Sequence, residues 1–182
     1  MKRLKEKIEM QKMMEIYKKV GTPGEPHKLL AKLEGSWTTR SIGFEGGKKA
    51  MESVGLCEQK LILDGRYLQQ TYTGDMMGVP YTGISLMGYN NHTKKYESTW
   101  IDTMSTATYF FVGKGSVDKK TITQECSYDD PVKGPAVWHT VTRIKDDNTL
   151  GFEMFITPKG GKKEKMMEMT ISRKEAVLSK AA

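Results

Sequence analysis

From Trp37 to Arg173 the chain runs in short stretches of β-branched, aromatic and methionine side chains, divided at regular intervals by Gly, Asn and Asp. Such stretches between turn residues predict an all-β sandwich or barrel. Ten strands are expected, at residues 36–44, 50–63, 66–74, 79–89, 95–103, 107–116, 120–128, 135–145, 149–157 and 163–173. Asp64-Gly65 reads as a two-residue hairpin, and Asn90-Asn91, Asp118-Lys119 and Asp146-Asp147-Asn148 suit tight turns. Short links make consecutive strands antiparallel neighbours in a meander. Side chains two apart share a face, so Leu150, Phe152, Met154 and Ile156 belong together. Residues 135–145 divide into Ala136, Trp138, Thr140, Thr142 and Ile144 against Val137, His139, Val141 and Arg143. Mixed faces fit a closed barrel with a partly polar interior and leave a two-sheet sandwich open.

Ahead of the strands the period changes. Residues 2–20 contain no Gly or Pro, and Met10, Met13, Met14, Ile16, Tyr17 and Val20 recur at three- and four-residue spacing. They predict an amphipathic helix roughly 28 Å long, docked on the body or on a second subunit through its apolar stripe. Residues 21–26, with two prolines and two glycines, form a linker. Residues 27–33 make a short helical turn with Leu29, Leu30 and Leu33 facing inward, ending before Gly35. The barrel is expected over 27–175 and a C-terminal tail over 176–182.

Composition narrows the classes. A chain of 182 residues fits one domain, large enough to bury roughly 70% of its unfolded surface. Cys57 and Cys126 are too few for a disulfide framework and have no CxxC spacing, so both are expected as reduced thiols. The net charge of +7 is concentrated at the start: residues 1–20 contribute +4 and the other 162 only +3. A strand region with mixed signs is a poor phosphate-tracking surface, so no nucleic acid is expected as partner. No run approaches the ~20 apolar residues of a membrane span. The N-terminus also lacks the apolar segment of a signal peptide, which points to a cytoplasmic protein.

Candidate chemistry is sparse. Trp100 and Asp102 share a face with Tyr96 and Ser98; turned inward, Asp102 would be a ligand anchor with Trp100 as platform, or half of an ion pair with Arg143 or Arg66. Tyr81 and Tyr109 complete the ligand-binding candidates together with His139. An inward His139 could ligate haem or act as a base; alone it defines neither, and no cofactor or metal is expected. Met76-Met77-Gly78-Val79-Pro80 could form a lid or cover an open end, and Gly46-Gly47-Lys48-Lys49 and Gly160-Gly161-Lys162-Lys163 read as hairpin tips without the helix of a P-loop. No nucleophile motif or metal-ligand spacing assigns a catalytic residue. The leading reading is a barrel that binds a small apolar or amphipathic molecule. An enzyme using Asp102, His139 or Tyr109 as acid and base, and an interaction module pairing through the N-terminal helix, stand as alternatives.

Several ordered motifs carry a resemblance. They are His27-Lys28-Leu29-Leu30, Leu33-x-Gly35-x-Trp37, Leu63-Asp64-Gly65-Arg66-Tyr67-Leu68, Tyr72-x-Gly74-x-Met76-x-Gly78-x-Pro80-Tyr81-x-Gly83, Gly88-Tyr89-Asn90 and Lys95-Tyr96-x-x-Thr99-Trp100-x-Asp102. The series is similar to a bacterial family of unknown function with a lipocalin-like, or calycin, barrel. The resemblance implies a fold without an attached activity. It also implies that Gly35, Trp37 and Arg173 close one end, the arginine lying over the tryptophan.

Overall fold

The computed structural model describes residues 2–174; the expected tail at 176–182 lies outside them. Two helices, α1 (Lys2–Gly21) and α2 (Glu25–Leu33), precede ten strands. These are β1 (Gly35–Glu45), β2 (Lys48–Ile62), β3 (Tyr67–Met76), β4 (Val79–Asn90), β5 (Lys95–Asp102), β6 (Tyr109–Gly115), β7 (Thr121–Asp130), β8 (Gly134–Asp146), β9 (Thr149–Pro158) and β10 (Glu164–Arg173). Each strand pairs antiparallel with its neighbours in sequence, and β1 pairs with β10 from Trp37–Arg173 to Gly43–Met167. This last ladder closes the sheet on itself, which excludes the two-sheet sandwich and leaves no free edge.

Alternation now has a direction. Trp37, Thr39 and Ser41 of β1 face in, beside Cys57, Gly55 and Ser53 of β2, while Thr38, Arg40 and Val54 face solvent. At one end the floor is packed: Leu29, Leu30 and Leu33 of α2 join Trp37, Leu68, Leu150 and Ile171, all buried. Arg173 fastens α2 across that end. Its guanidinium lies 4.1 Å from the centre of a Trp37 ring, while Nη1 and Nη2 donate to the Glu34 and Lys32 carbonyls at 2.9 and 3.3 Å. Three services come from one side chain: cation–π contact, a cap on the helix C-terminus, and favourable charge at its negative end. Gly35 takes φ 134° beside the guanidinium, a conformation and a closeness that a side chain would spoil.

The region 21–26 is shorter as a linker than its composition suggests. Gly24 caps α2, whose first turn takes in Glu25 and Pro26, because proline loses nothing where the N–H has no helical partner. His27 completes the cap: its backbone N–H donates to Gly24 O and its Nδ1 accepts from Gly24 N, both at 3.0 Å. The ring stacks edge-on to Tyr89, 5.9 Å between centroids. Burial, assisted by the Arg66 charge, holds this imidazole below its usual range, so the folded state favours the neutral form. That contribution is complete above the ordinary histidine value and is lost as pH falls below it. Melting temperature should therefore decline between pH 7.5 and 5 more steeply for the parent than for His27→Asn; parallel curves would refute this account.

α1 does not dock on the barrel. Residues 3–19 are all exposed, including Met10, Met13, Met14, Ile16 and Tyr17. Only its C-terminal end is held: Arg66 Nε donates to Gly21 O at 2.9 Å, and Asn91 Nδ2 to Val20 O and Thr22 O, both at 2.8 Å. These are the arginine of the 63–68 motif and the residue after Gly88-Tyr89-Asn90, so both motifs serve the helix junction. The turn at Asp64-Gly65 is wider than two residues. Leu63, Asp64 and Gly65 all take positive φ, and the ladder resumes at Ile62–Tyr67.

Candidate functional site

The end opposite α2 is the mouth, where β4 begins and β5 finishes. Register sets Gly83 opposite Asp102 and Ser85 opposite Trp100, so Tyr81, Gly83, Trp100 and Asp102 all face inward. The motifs Tyr81-x-Gly83 and Trp100-x-Asp102 thus interlock across one strand pair. Trp100 Nε1 donates to Asp102 Oδ2 at 2.9 Å and approaches Tyr81 OH at 3.3 Å. The Tyr81 hydroxyl donates to the same Oδ2 at 3.2 Å, and the Met104 N–H donates to Oδ1 at 2.9 Å. Burial and the neighbouring Asp102 charge push the Tyr81 hydroxyl well above the usual tyrosine range. Tyr81 therefore stays a proton donor to the carboxylate.

Other aromatics extend the cluster. Tyr72 of β3 meets Tyr81 edge-on at 5.8 Å, and Tyr109, opposite Trp100 on β6, packs against Tyr128 of β7 at 4.7 Å. Of the sequence candidates, Tyr81, Trp100, Asp102 and Tyr109 come together; His139 does not join them. It lies on the outer surface, where Nδ1 contacts Glu125 Oε1 and Nε2 contacts Thr157 Oγ1, both at 3.0 Å. The barrel wall separates it from Asp102, so neither an inward haem ligand nor an Asp102–His139 acid–base pair is formed. The cation expected beside Asp102 is also missing. Arg143 faces outward and pairs with Glu153, while Arg66 serves the α1 junction at the far end. Three neutral donors hold the carboxylate instead.

Tyr72 heads the motif that runs to Gly83 without being a ligand-binding candidate, and Tyr128 belongs to no motif; strand register brings both into the cluster. Met76 to Pro80 form no lid: the β3–β4 hairpin is tight, closed by Gly78 N donating to Asp75 Oδ1 at 2.6 Å, and Met77 projects into solvent. Gly46-Gly47 and Gly160-Gly161 sit in the β1–β2 and β9–β10 turns. Cys57 and Cys126 are free and buried, the Cys57 thiol pushed up to about 12 by burial, which makes it a poor nucleophile. Among the described residues no group of three His, Cys, Asp or Glu could hold a metal ion. No described helix is long and apolar enough to cross a membrane.

Above the floor the inward face is buried in part, at Cys126, Ala136 and Ile156, and accessible in part. Trp138, Thr140, Phe152, Met154, Met167 and Met169 face inward by register yet keep part of their accessible surface. Trp37, Leu30, Leu68 and Leu150, at the closed end, keep almost none. Three buried polar atoms on the inward face, Thr39 Oγ1, Ser41 Oγ and Trp138 Nε1, find no hydrogen-bond partner. Ser98 and Gln124 satisfy each other, at 3.2 Å. A recess of about 620 Å³ lies outside the barrel between β1, β2 and β10, and Arg40 is the one charged residue lining it.

The same architecture occurs in solved structures. The M. tuberculosis protein Rv2717c matches with a TM-score of 0.64 at 17% identity, over 85% of this chain and 100% of that one. The S-type phycobiliprotein lyase CPES from Guillardia theta matches with a TM-score of 0.57 at 10% identity, over 82% of this chain and 92% of that one. At such identities the likeness establishes the fold alone. No curated protein matches the chain. A family model does match, over residues 22–173, which contain the junction, the closed end and the mouth. The chain belongs to the DUF1579 family of proteins of unknown function.

Proposed function

We propose that the barrel binds a small apolar or amphipathic molecule, admitted at the mouth and held by Tyr81, Trp100, Asp102 and Tyr109. The observation that carries this reading is a set of inward side chains above the floor, Phe152, Met154, Met167 and Met169, that keep part of their accessible surface. A barrel of this size can enclose a ligand. The unpartnered Thr39, Ser41 and Trp138 atoms support it too, because buried polar groups ordinarily have partners. Native mass spectrometry beside the denatured mass tests the proposal. An adduct of a few hundred daltons, or a rise in melting temperature with a member of a metabolite library, is the expected result. A bare mass with no stabilisation by any compound would sink it.

A second reading, pairing of two copies through α1, is favoured by one observation: its methionines, Ile16 and Tyr17 are exposed on a helix whose C-terminal end is pinned. The helix cannot fold back onto its own barrel without losing those bonds, so a second copy is its occupant. Light scattering should give a dimer for the full chain and a monomer for a chain starting at Gly21; equal monomeric masses would refute it.

A further inference from the structure

We infer that the mouth is built for an organic cation, a protonated or quaternary amine with an apolar tail. The inference rests on the proposed binding function and adds the charge class of the ligand. Its centre is Asp102, a half-buried carboxylate whose three hydrogen bonds all come from neutral groups. None of the ion pairs among the described residues includes it. The neutral donors fix its position and leave its charge uncompensated, and a charge partly removed from water attracts a counterion strongly.

Aromatic rings surround that charge. Trp100 and Tyr81 touch Asp102 directly, Tyr109 stands opposite Trp100, and Tyr72 and Tyr128 back the two tyrosines. Ring faces with a carboxylate are the chemistry that recognises alkylammonium groups. An anion would meet the carboxylate as a repulsive surface.

Charge on the β3 to β7 side of the rim agrees. Residues 67–93 and 96–113 contain no Lys or Arg, and the mouth ends of β3, β5 and β7 contribute Asp75, Asp102, Asp129 and Asp130. Lys133, in the next turn, is engaged with Glu164 at 2.8 Å. Across the mouth the β1–β2 and β9–β10 turns carry Lys48, Lys49, Lys159, Lys162 and Lys163; Lys49 is paired with Glu52, and Lys163 lies over the outward ring of Phe155. Inside, Phe152, Met154 and Met167 offer the apolar surface a tail requires.

The test uses three probes of one chain length, octyltrimethylammonium, octanol and octanoate, titrated into the full-length protein and followed by tryptophan emission. Octyltrimethylammonium should bind about tenfold or more tighter than octanoate, a difference the size of one cation–π contact with a charge pair. Asp102→Asn should remove most of that preference. Equal or tighter binding of octanoate, or an Asp102→Asn variant with unchanged preference, overturns the cation assignment and leaves the binding barrel standing. Failure of all three probes to bind overturns the cation assignment, and the mass and melting tests above then decide the binding barrel. Should Asp102→Asn not fold, the probe comparison on the unaltered protein still decides.

Discussion

Trp37→Ala is expected to cost the barrel about 3–5 kcal/mol, the range for deleting a fully buried large aromatic. For a chain of this size that is a fall in melting temperature of roughly 6–20 °C. The indole has no accessible surface, and its Nε1 donates to Leu33 O at 3.0 Å, the last residue of α2. Alanine would leave a void beneath the helix, orphan that carbonyl, and remove the ring beneath Arg173. α2 would then be seated by its leucines, the guanidinium bonds, the His27–Tyr89 contact and the Tyr96 hydroxyl bond to Pro26 O. Trp37→Phe retains a ring and loses the N–H, so it should fall between parent and alanine variant. Thermal unfolding followed by circular dichroism checks the series; an alanine variant melting within about 2 °C of the parent would show that the closed end does not depend on this plug.

The strands were legible because alternation and turn chemistry are local properties. All ten expected strands occur, with ends shifted by no more than two residues, and the ordered motifs pointed to the barrel now seen. What periodicity could not supply was the identity of the surface each face meets. β8 shows why: its outer side carries Val137 and Val141 as well as His139, so apolar content alone did not separate inside from outside. Pairing with Glu125 of β7 and Phe155 of β9 decides it, and those partners come from tertiary register. α1 is the same problem in helical form: the expected apolar stripe is weak over the whole helix, because Leu4 and Ile8 fall away from Met13, Ile16 and Tyr17, and all are exposed.

Asp102 was partly legible. A carboxylate in an inward pattern calls for compensation, and a cation was the expected source. The compensation comes from an indole N–H, a phenol and a main-chain N–H, groups whose convergence depends on β4 and β5 lying in one register. The motif glycines were visible as a pattern while their purpose was not. An added Cβ at Gly74 would meet Tyr72, at Gly88 it would meet Tyr67, and at Gly83 it would meet Trp100. The Gly and aromatic positions are therefore one device, in which a ring lies flat on a strand where no side chain intervenes.

Gly83→Ala puts that device to the test at the mouth. The new methyl would overlap the six-membered ring of Trp100, with Cη2 at 2.6 Å and Cε2 at 2.9 Å, closer than carbon atoms tolerate. Neither atom can yield cheaply: the methyl is fixed to a paired strand, and the ring is tethered through Nε1 to Asp102. Overpacking of this kind costs about 1–3 kcal/mol, and the ring must swing off β4. Doing so breaks the indole bond to Asp102, and Tyr81 remains its one side-chain donor. Tryptophan emission should shift to the red and ligand-induced stabilisation should fall sharply, while α2 and the floor around Trp37 stay folded. Trp100→Phe separates the two effects, since it removes the N–H without crowding the strand and should retain more stability than Gly83→Ala. A Gly83→Ala protein with parental emission and parental melting would mean that Trp100 does not lie on β4, and the site built on it would have to be redrawn.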